Sequence, residues 1–456
     1  MSTTSLAPTS VDDLEMGQTK ITQSELDEIL LAHEAFLKRR AKGVRASLKL
    51  RDLSYLDFGG HDLSEADLSG AKLFGANLKG VKAVNANFFA ADLRTANLEH
   101  TEFRRADMRG ASLRGAIMND AVFIDADLRG GVLLKPGRDG ELKQLTHAVN
   151  GGGVELGSAS AQRANMSGAK ISNAFILQTD LTDAVLCNVR FIRADLSNSN
   201  LTGATLEGAD LTEANLSGAC LKGAVLSNVC LAYTNLRDAD LIGAIMDSVD
   251  LSTADLTNAS IIQRLEGFDA SLRDVIASHT EWIVSGGHKG KRADLSKHDL
   301  SQEDLTGLNL SACNLSYSIL KGVNMAKIAL VMADLSFADL RDADLTNSDL
   351  RGVNFTRATL TGAKLTGARI GPVEMAGSTV THWTANLESA RLGRCSFMGA
   401  DLRAAKLVRA DLTGSNMRSA DLRRAVLQDA IMTNADMRGA KLEGADMRGA
   451  VDLNLE

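Results

Sequence analysis

The chain has 456 residues, with 50 Lys+Arg against 57 Asp+Glu for a formal net charge of −7, and only 4% of its residues are aromatic. That balance excludes a strongly basic nucleic-acid binder, and no apolar run approaches the ~20 residues of a membrane span. The five cysteines are scattered without metal-ligand spacing, which excludes a disulfide framework and fits a reducing cytoplasm.

In chain order, residues 1–20 have neither a basic start nor an apolar core, so they read as a disordered tail rather than a secretory signal. Residues 21–45 hold a capping helix. Thr22 and Glu25 form a capping-box pattern, Leu26, Ile29, Leu30, His33, Phe36 and Leu37 make one apolar stripe, and Gly43 is expected to supply the stop. From Leu48 onward a large apolar residue returns every fifth position. This central column runs through 48–133, 156–261, 295–380 and, after a two-residue slip at "THWT", 387–447. The residue two before each centre is small in all but seven repeats, and the residue just before it is often Asp or Asn.

A spacing of five suits neither regular structure. In a helix it scatters the leucines around the cylinder; in a strand it throws them to alternate faces. It keeps every leucine inside only if the chain turns a corner once per repeat, four corners closing a square coil of about 20 residues that stacks residue n over n+20 at the ~4.8 Å inter-strand spacing.

Two segments interrupt the period. Residues 134–155 carry the turn signal "PGRDG" and a "GGG" run, and read as a loop insertion. Residues 262–292 read as a linker and a second capping helix. Leu272, Val275, Ile276, His279, Trp282 and Ile283 reproduce the first helix's stripe at the same spacing. The duplication extends past the helices. Arg51, Leu56 and His61 break the small-residue rule after Ala46, as His298, Glu303 and Leu308 do after Ala293; the seventh exception is Ile328. Two tandem solenoids follow, 46–261 and 293–456, each preceded by a helix packed on its first coil, where it would cover unpaired backbone groups and a bare leucine layer.

The strings "ADLTEANLSGA" and "ADMRGAKLEGADMRGA" resemble the A(D/N)LXX motif of the pentapeptide-repeat family, in 71 registered copies between residues 46 and 449. The resemblance implies an all-β solenoid, a right-handed quadrilateral parallel β-helix. Some members resemble B-form DNA in width and negative charge and bind DNA gyrase. That role needs a long acidic face, and only 154–261 is clearly acidic, with 12 acidic against 6 basic residues.

Signals for chemistry are sparse. His33 and His279 sit on helix stripes beside Phe36 and Trp282 and read as half-buried packing histidines bonded to coil backbone. "SGGHKGKR" at 285–292 lacks the first glycine and the hydroxyl residue of a phosphate loop. No catalytic residue, metal site or cofactor is expected. Stacking by 20 places Arg94 over Arg114, Arg109 over Arg129, Arg418 over Arg438 and Arg403 over Arg423, with Arg104 and Arg105 nearby. Like charges ~5 Å apart repel, so these ladders need anions or interleaved carboxylates, with Asp107, Asp127, Asp421 and Asp436 the candidates. The ten arginines are either part of an ordinary mixed charged surface or the candidate partner-binding residues, a docking patch for an acidic partner. The expected function is a non-enzymatic cytoplasmic scaffold binding an unknown protein partner through its solenoid faces, helped by exposed Phe74, Phe89, Phe175 and Phe337. A gyrase-binding DNA mimic and an effector acting through loop 134–155 are the alternatives. A homodimer through the C-terminal coil is an open possibility; direct nucleic-acid binding is not expected.

Overall fold

The computed structural model describes residues 19–131, 133–136, 142–145, 154–261, 272–301, 303–375 and 381–451. The chain divides into two compact units: Met1–Asp240 with Met246–Ala259, and Leu241–Ile245 with Ser260–Glu456. The segment 262–268, where the sequence places a boundary, lies outside the described residues.

In both units the repeat is a coil. Bridges are parallel and join residues 20 apart, as in Asp195↔Asn215↔Asn235↔Asp255 and Asn314↔Asp334↔Asn354. One repeat shows why the chain turns. Leu211 points inward and is fully buried. Its N–H donates to Cys230 O at 2.9 Å, and its carbonyl accepts from Ala214 N at 2.9 Å, closing a β-turn. Between them Glu213 has φ 57°, and its N–H reaches Ala232 O at 2.9 Å. The left-handed corner is least costly for Gly, Asn and Asp, which is why they fill so many second positions after the centre. The residue before the centre steadies the corner: Asp210 Oδ1 accepts from Thr212 N at 3.1 Å and Thr212 Oγ1 at 2.6 Å. Several buried hydroxyls at small positions bond to backbone carbonyls, Thr234 Oγ1 donating to Leu211 O at 2.8 Å and Thr101 Oγ1 to Leu78 O at 2.8 Å. Phenylalanines replace leucine where interior aromatics meet, Phe103 lying edge-on 5.3 Å from Phe88 and stacked 5.0 Å from Phe123 one coil on, between ring centroids.

The N-terminal segment departs from the expected tail at its end. β1 (Thr19–Lys20) pairs in parallel with β2 (Arg51–Asp52); residues 1–18 lie outside the described residues. α1 (Gln23–Leu37) starts at the Thr22–Glu25 capping box and buries Leu26, Leu30 and His33. It ends six residues before Gly43, so Gly43 is not its stop. A Cβ there would lie 2.3 Å from Phe36 N, so glycine is needed for the return to pass against the helix backbone. Gln23 clasps the first coil, donating to Asp57 O at 2.8 Å and accepting from Asp57 N at 2.9 Å. α2 (Leu272–Val284) lays Leu272, Val275 and Ile276 against the buried column of the second unit. Among the bulky exceptions, Arg51, His61 and Glu303 are exposed, whereas Ile328 is fully buried one coil above half-buried Leu308.

Both interruptions differ from their expected bounds. Ser112 pairs with Glu155, 43 residues on instead of 20, so the stack resumes across the first insertion with Val154 and Glu155 already in the coil. Leu133 is not a column residue: its backbone lies in β3 (Leu133–Pro136), antiparallel to β4 (Leu142–Leu145). The two-residue slip at 381–384 is a full excursion. Asn354 pairs with Asn386, 32 residues on, and β5 (Val373–Met375) runs antiparallel to β6 (Thr381–Trp383). The backbone at Met375 therefore runs in a hairpin instead of a coil, and the expected Val380 lies outside the described residues. Pro372 explains the departure. It occupies the corner position that elsewhere takes a positive φ and donates its N–H to the next coil, and proline can do neither.

Candidate functional site

Coil geometry decides what the surface side chains can do. In every Asp-Leu-Arg or Asp-Met-Arg string, the residues flanking the buried centre both point outward from the same side of the coil. The arginine therefore folds back onto its own aspartate in a two-bond fork. Arg109 Nε donates to Asp107 Oδ1 at 2.8 Å and Nη2 to Oδ2 at 2.7 Å. The same fork joins Arg94 to Asp92, Arg129 to Asp127, Arg403 to Asp401, Arg423 to Asp421 and Arg438 to Asp436. It recurs at Arg341, Arg351 and Arg448. Planar guanidinium and carboxylate match each other in this geometry.

The forks resolve the expected like-charge ladders. Arg109 and Arg129 stack one coil apart, each neutralised by its own carboxylate. Arg418 and Arg438 share one: Arg418 Nε donates to Asp436 Oδ2 at 2.7 Å while Arg438 holds both oxygens. The remaining arginines are held differently. Arg104 Nε pairs with Glu102 Oε1 at 2.5 Å, and Arg105 Nε donates to Asn85 Oδ1 at 2.9 Å. Arg114 is exposed one coil above Arg94. Bonding to Asp107 raises the Arg109 pKa further. Burial raises the Asp127 carboxyl, but hydrogen bonds from the Arg129 side chain and backbone outweigh it and hold the carboxyl below its ordinary range.

The phenylalanines are not the exposed contacts expected of them. Phe74, Phe89, Phe175 and Phe337 are all half-buried. The Arg94 guanidinium lies 5.6 Å from the Phe74 ring centre, Arg109 5.2 Å from Phe89 and Arg357 5.8 Å from Phe337. Among the described residues the exposed aromatics are Tyr55, Tyr233 and Trp383, 72%, 71% and 53% accessible.

The two histidines occupy matched positions. His33 Nδ1 accepts from Ala46 N at 3.1 Å, and His279 Nδ1 accepts from Ala293 N at 3.0 Å. Each ring stacks at 15° on the next aromatic of its helix, Phe36 at 5.9 Å and Trp282 at 5.7 Å. Accepting from an amide fixes the tautomer with the proton on Nε2. Burial lowers both pKa values, opposed by the backbone of Ser64 at His33 and of Ser311 at His279. Cys313 and Cys395 are buried small-position residues whose thiols desolvation pushes up to about 12, which suppresses the reactive thiolate. Among the described residues no group of three or more His, Cys, Asp or Glu is placed to hold a metal ion, and no helix is long and apolar enough to cross a membrane.

Asp107, Asp127, Asp421 and Asp436, the carboxylates expected between the arginines, are indeed their partners; the fork geometry itself was not anticipated, although "ADLR" and "ADMR" spell it out. The signal was the two-residue spacing of opposite charges across a buried centre, not the 20-residue stacking of like ones.

A chain whose residues bridge parallel neighbours 20 apart, with an inward aliphatic every fifth position, is a repeat solenoid. The sequence profile described as Pentapeptide repeats matches eight stretches, 52–88, 91–130, 190–228, 219–258, 291–325, 333–370, 385–418 and 415–451, which together exceed half of the chain. This protein belongs to the pentapeptide-repeat family, and the family implies a right-handed quadrilateral β-helix. Solved structures similar to it include QnrB1, a plasmid-mediated fluoroquinolone resistance protein, at 16% identity over 47% of this chain and 89% of that one, with a TM-score of 0.24. HetL from Nostoc sp. strain PCC 7120, involved in heterocyst differentiation regulation, matches at 20% identity over 92% and 94%, with a TM-score of 0.15. A pentapeptide repeat protein of the Arabidopsis thaliana thylakoid lumen matches at 28% identity over 26% and 68%, with a TM-score of 0.17. No curated protein matches the chain in sequence.

Proposed function

We propose that the protein is a non-enzymatic cytoplasmic scaffold of two tandem solenoids, each closed at its start by a helix, that holds protein partners against its coil faces. The observation that carries this reading is the fork network. Nine guanidiniums are already fixed on carboxylates of their own strings, so a partner docking there orders few further side chains and loses little rotamer entropy. His33 and His279 accept backbone amides, Cys313 and Cys395 are buried, and aspartates such as Asp210 accept from their own turns, so these groups serve the coil. Affinity capture from native cells with mass spectrometry tests the reading. Arg403→Ala/Arg423→Ala/Arg438→Ala should release a face-bound partner, and deletion of 134–153, which spares the coil residues Val154 and Glu155, should not; the opposite pattern would instead support an effector acting through that loop.

The gyrase-directed reading keeps one supporting observation, the 12-to-6 acidic excess of residues 154–261. A supercoiling assay unaffected by micromolar protein would remove it. Self-association through the C-terminal coil has support in Leu442 and Met447, which are only half-buried in the last described coil. A monomer mass by light scattering at all concentrations would count against it.

A further inference from the structure

The two helix-to-coil returns share a feature that the scaffold reading does not use. Between Glu34 and Asp52 the sequence holds seven Lys or Arg and no acidic residue; between Glu281 and Asp294 it holds three, with His288, and again none. This concentration occurs in a chain of net charge −7. In the first return Arg39, Arg40 and Lys42 are exposed, and in the second Lys289, Lys291 and Arg292 are. Each return also exposes an aliphatic residue: Val44 is 62% and Val284 82% accessible. Val44 N donates to Ala32 O at 3.0 Å, which sets it beside the turn carrying Leu31, itself 64% accessible.

A helix C-terminus favours nearby cations, but that effect fades within the last turn. At α1 it is served by Lys38, which is paired with Glu34. It explains neither the cations further along nor the exposed aliphatics. A polyanion reader would present aromatics for base stacking, yet Phe36 and Trp282 are stacked on the histidines. Cations flanking an exposed aliphatic fit a surface that is anionic outside and hydrocarbon just beneath. We propose that the returns at 38–45 and 284–292 are peripheral docking tips for an anionic phospholipid bilayer, their cations on the headgroup phosphates and Val44, Leu31 and Val284 entering the headgroup boundary. This inference is independent of any protein partner.

Co-sedimentation of the full chain with vesicles tests it. The protein should pellet at low salt with phosphatidylcholine vesicles containing phosphatidylserine, and not with phosphatidylcholine alone. Raising salt to about 1 M, where the Debye length is ~3 Å, should release it. Arg39→Glu/Arg40→Glu/Lys42→Glu should lower partitioning about 100-fold or more, on the basis of ~1 kcal/mol per cation near the surface. Val284→Ser, an exposed change that leaves the coil core untouched, should weaken binding with all cations retained. Failure of the wild-type chain to distinguish anionic from neutral vesicles would overturn the proposal. So would undiminished binding by the charge-reversed chain, or displacement from vesicles by an equal charge of duplex oligonucleotide.

Discussion

Replacing His33 with Ala removes the acceptor of the Ala46 amide, which lies in a buried site 3.1 Å from Nδ1. An orphaned buried donor costs about 1–3 kcal/mol, and losing the ring stacked on Phe36 adds about 0.5–1.5 kcal/mol. A local loss of about 2–4 kcal/mol corresponds to roughly 30- to 800-fold faster opening. The assay is hydrogen exchange read at the Ala46 amide and across residues 46–65. His33→Asn keeps a side-chain oxygen able to accept and should recover most of the protection. The Ala293 amide, whose acceptor is His279, should keep its rate. The pH dependence has a defined sign. Both histidines have folded pKa values below the ordinary 6.5, so their contribution is full above pH 6.5 and is lost as pH falls below it. Between pH 6.5 and 5 the loss has a ceiling of about 2 kcal/mol per histidine, and His33→Asn should abolish the share due to His33. Unchanged exchange at Ala46 in His33→Ala would refute the reasoning.

Further consequences can be measured directly. Leu211→Ala should cost about 2–5 kcal/mol in denaturant unfolding, and Leu211→Asp more, because both empty or charge a fully buried column site; tolerance of both would place Leu211 outside the core. Arg423→Ala should leave the denaturant midpoint nearly unchanged, since its fork with Asp421 is solvent-accessible; a large drop in the midpoint would mean the forks hold the coils together. Native alkylation near pH 8 should modify exposed Cys230 and spare Cys313 and Cys395; rapid labelling of either buried thiol would contradict its placement. Asp127, Asp349 and Asp401 have depressed carboxyl pKa values because hydrogen bonds from their arginines outweigh the opposing effect of burial. Their contribution is present above about pH 4 and disappears as the pH falls through the folded values, so acid unfolding of His33→Asn should begin lower than in the native chain.

The inward column was legible because a five-residue period of large aliphatics has one geometric solution, and Leu201, Leu206 and Leu211 are all buried as that solution requires. The histidine positions were legible from duplication: two stripes at identical spacing led to two matched amide bonds. Periodicity failed where it continued by coincidence. Met375 keeps the spacing of five, yet the backbone has already left the coil there, because Pro372 cannot supply the corner's N–H or its left-handed φ. Helix ends were misplaced for a related reason: Gly43 serves a close backbone approach rather than a helix stop. The neutralising carboxylates Asp107, Asp127, Asp421 and Asp436 were legible, but not that each is held by the arginine two residues on. Stacking across coils suggested repulsion, whereas pairing across a single buried residue is shorter and wins.

The claim on which the functional account rests is that the outward faces of the coils, held by their own ion pairs, are the working surface. Hydrogen-exchange footprinting of the full chain with and without its captured partner tests it most directly. Protection should fall on coil corners along the forked columns, such as 401–403, 421–423 and 436–438, and weaken in Arg403→Ala/Arg423→Ala/Arg438→Ala. A footprint confined to 134–155, with the coil corners exchanging as in the free protein, would contradict it.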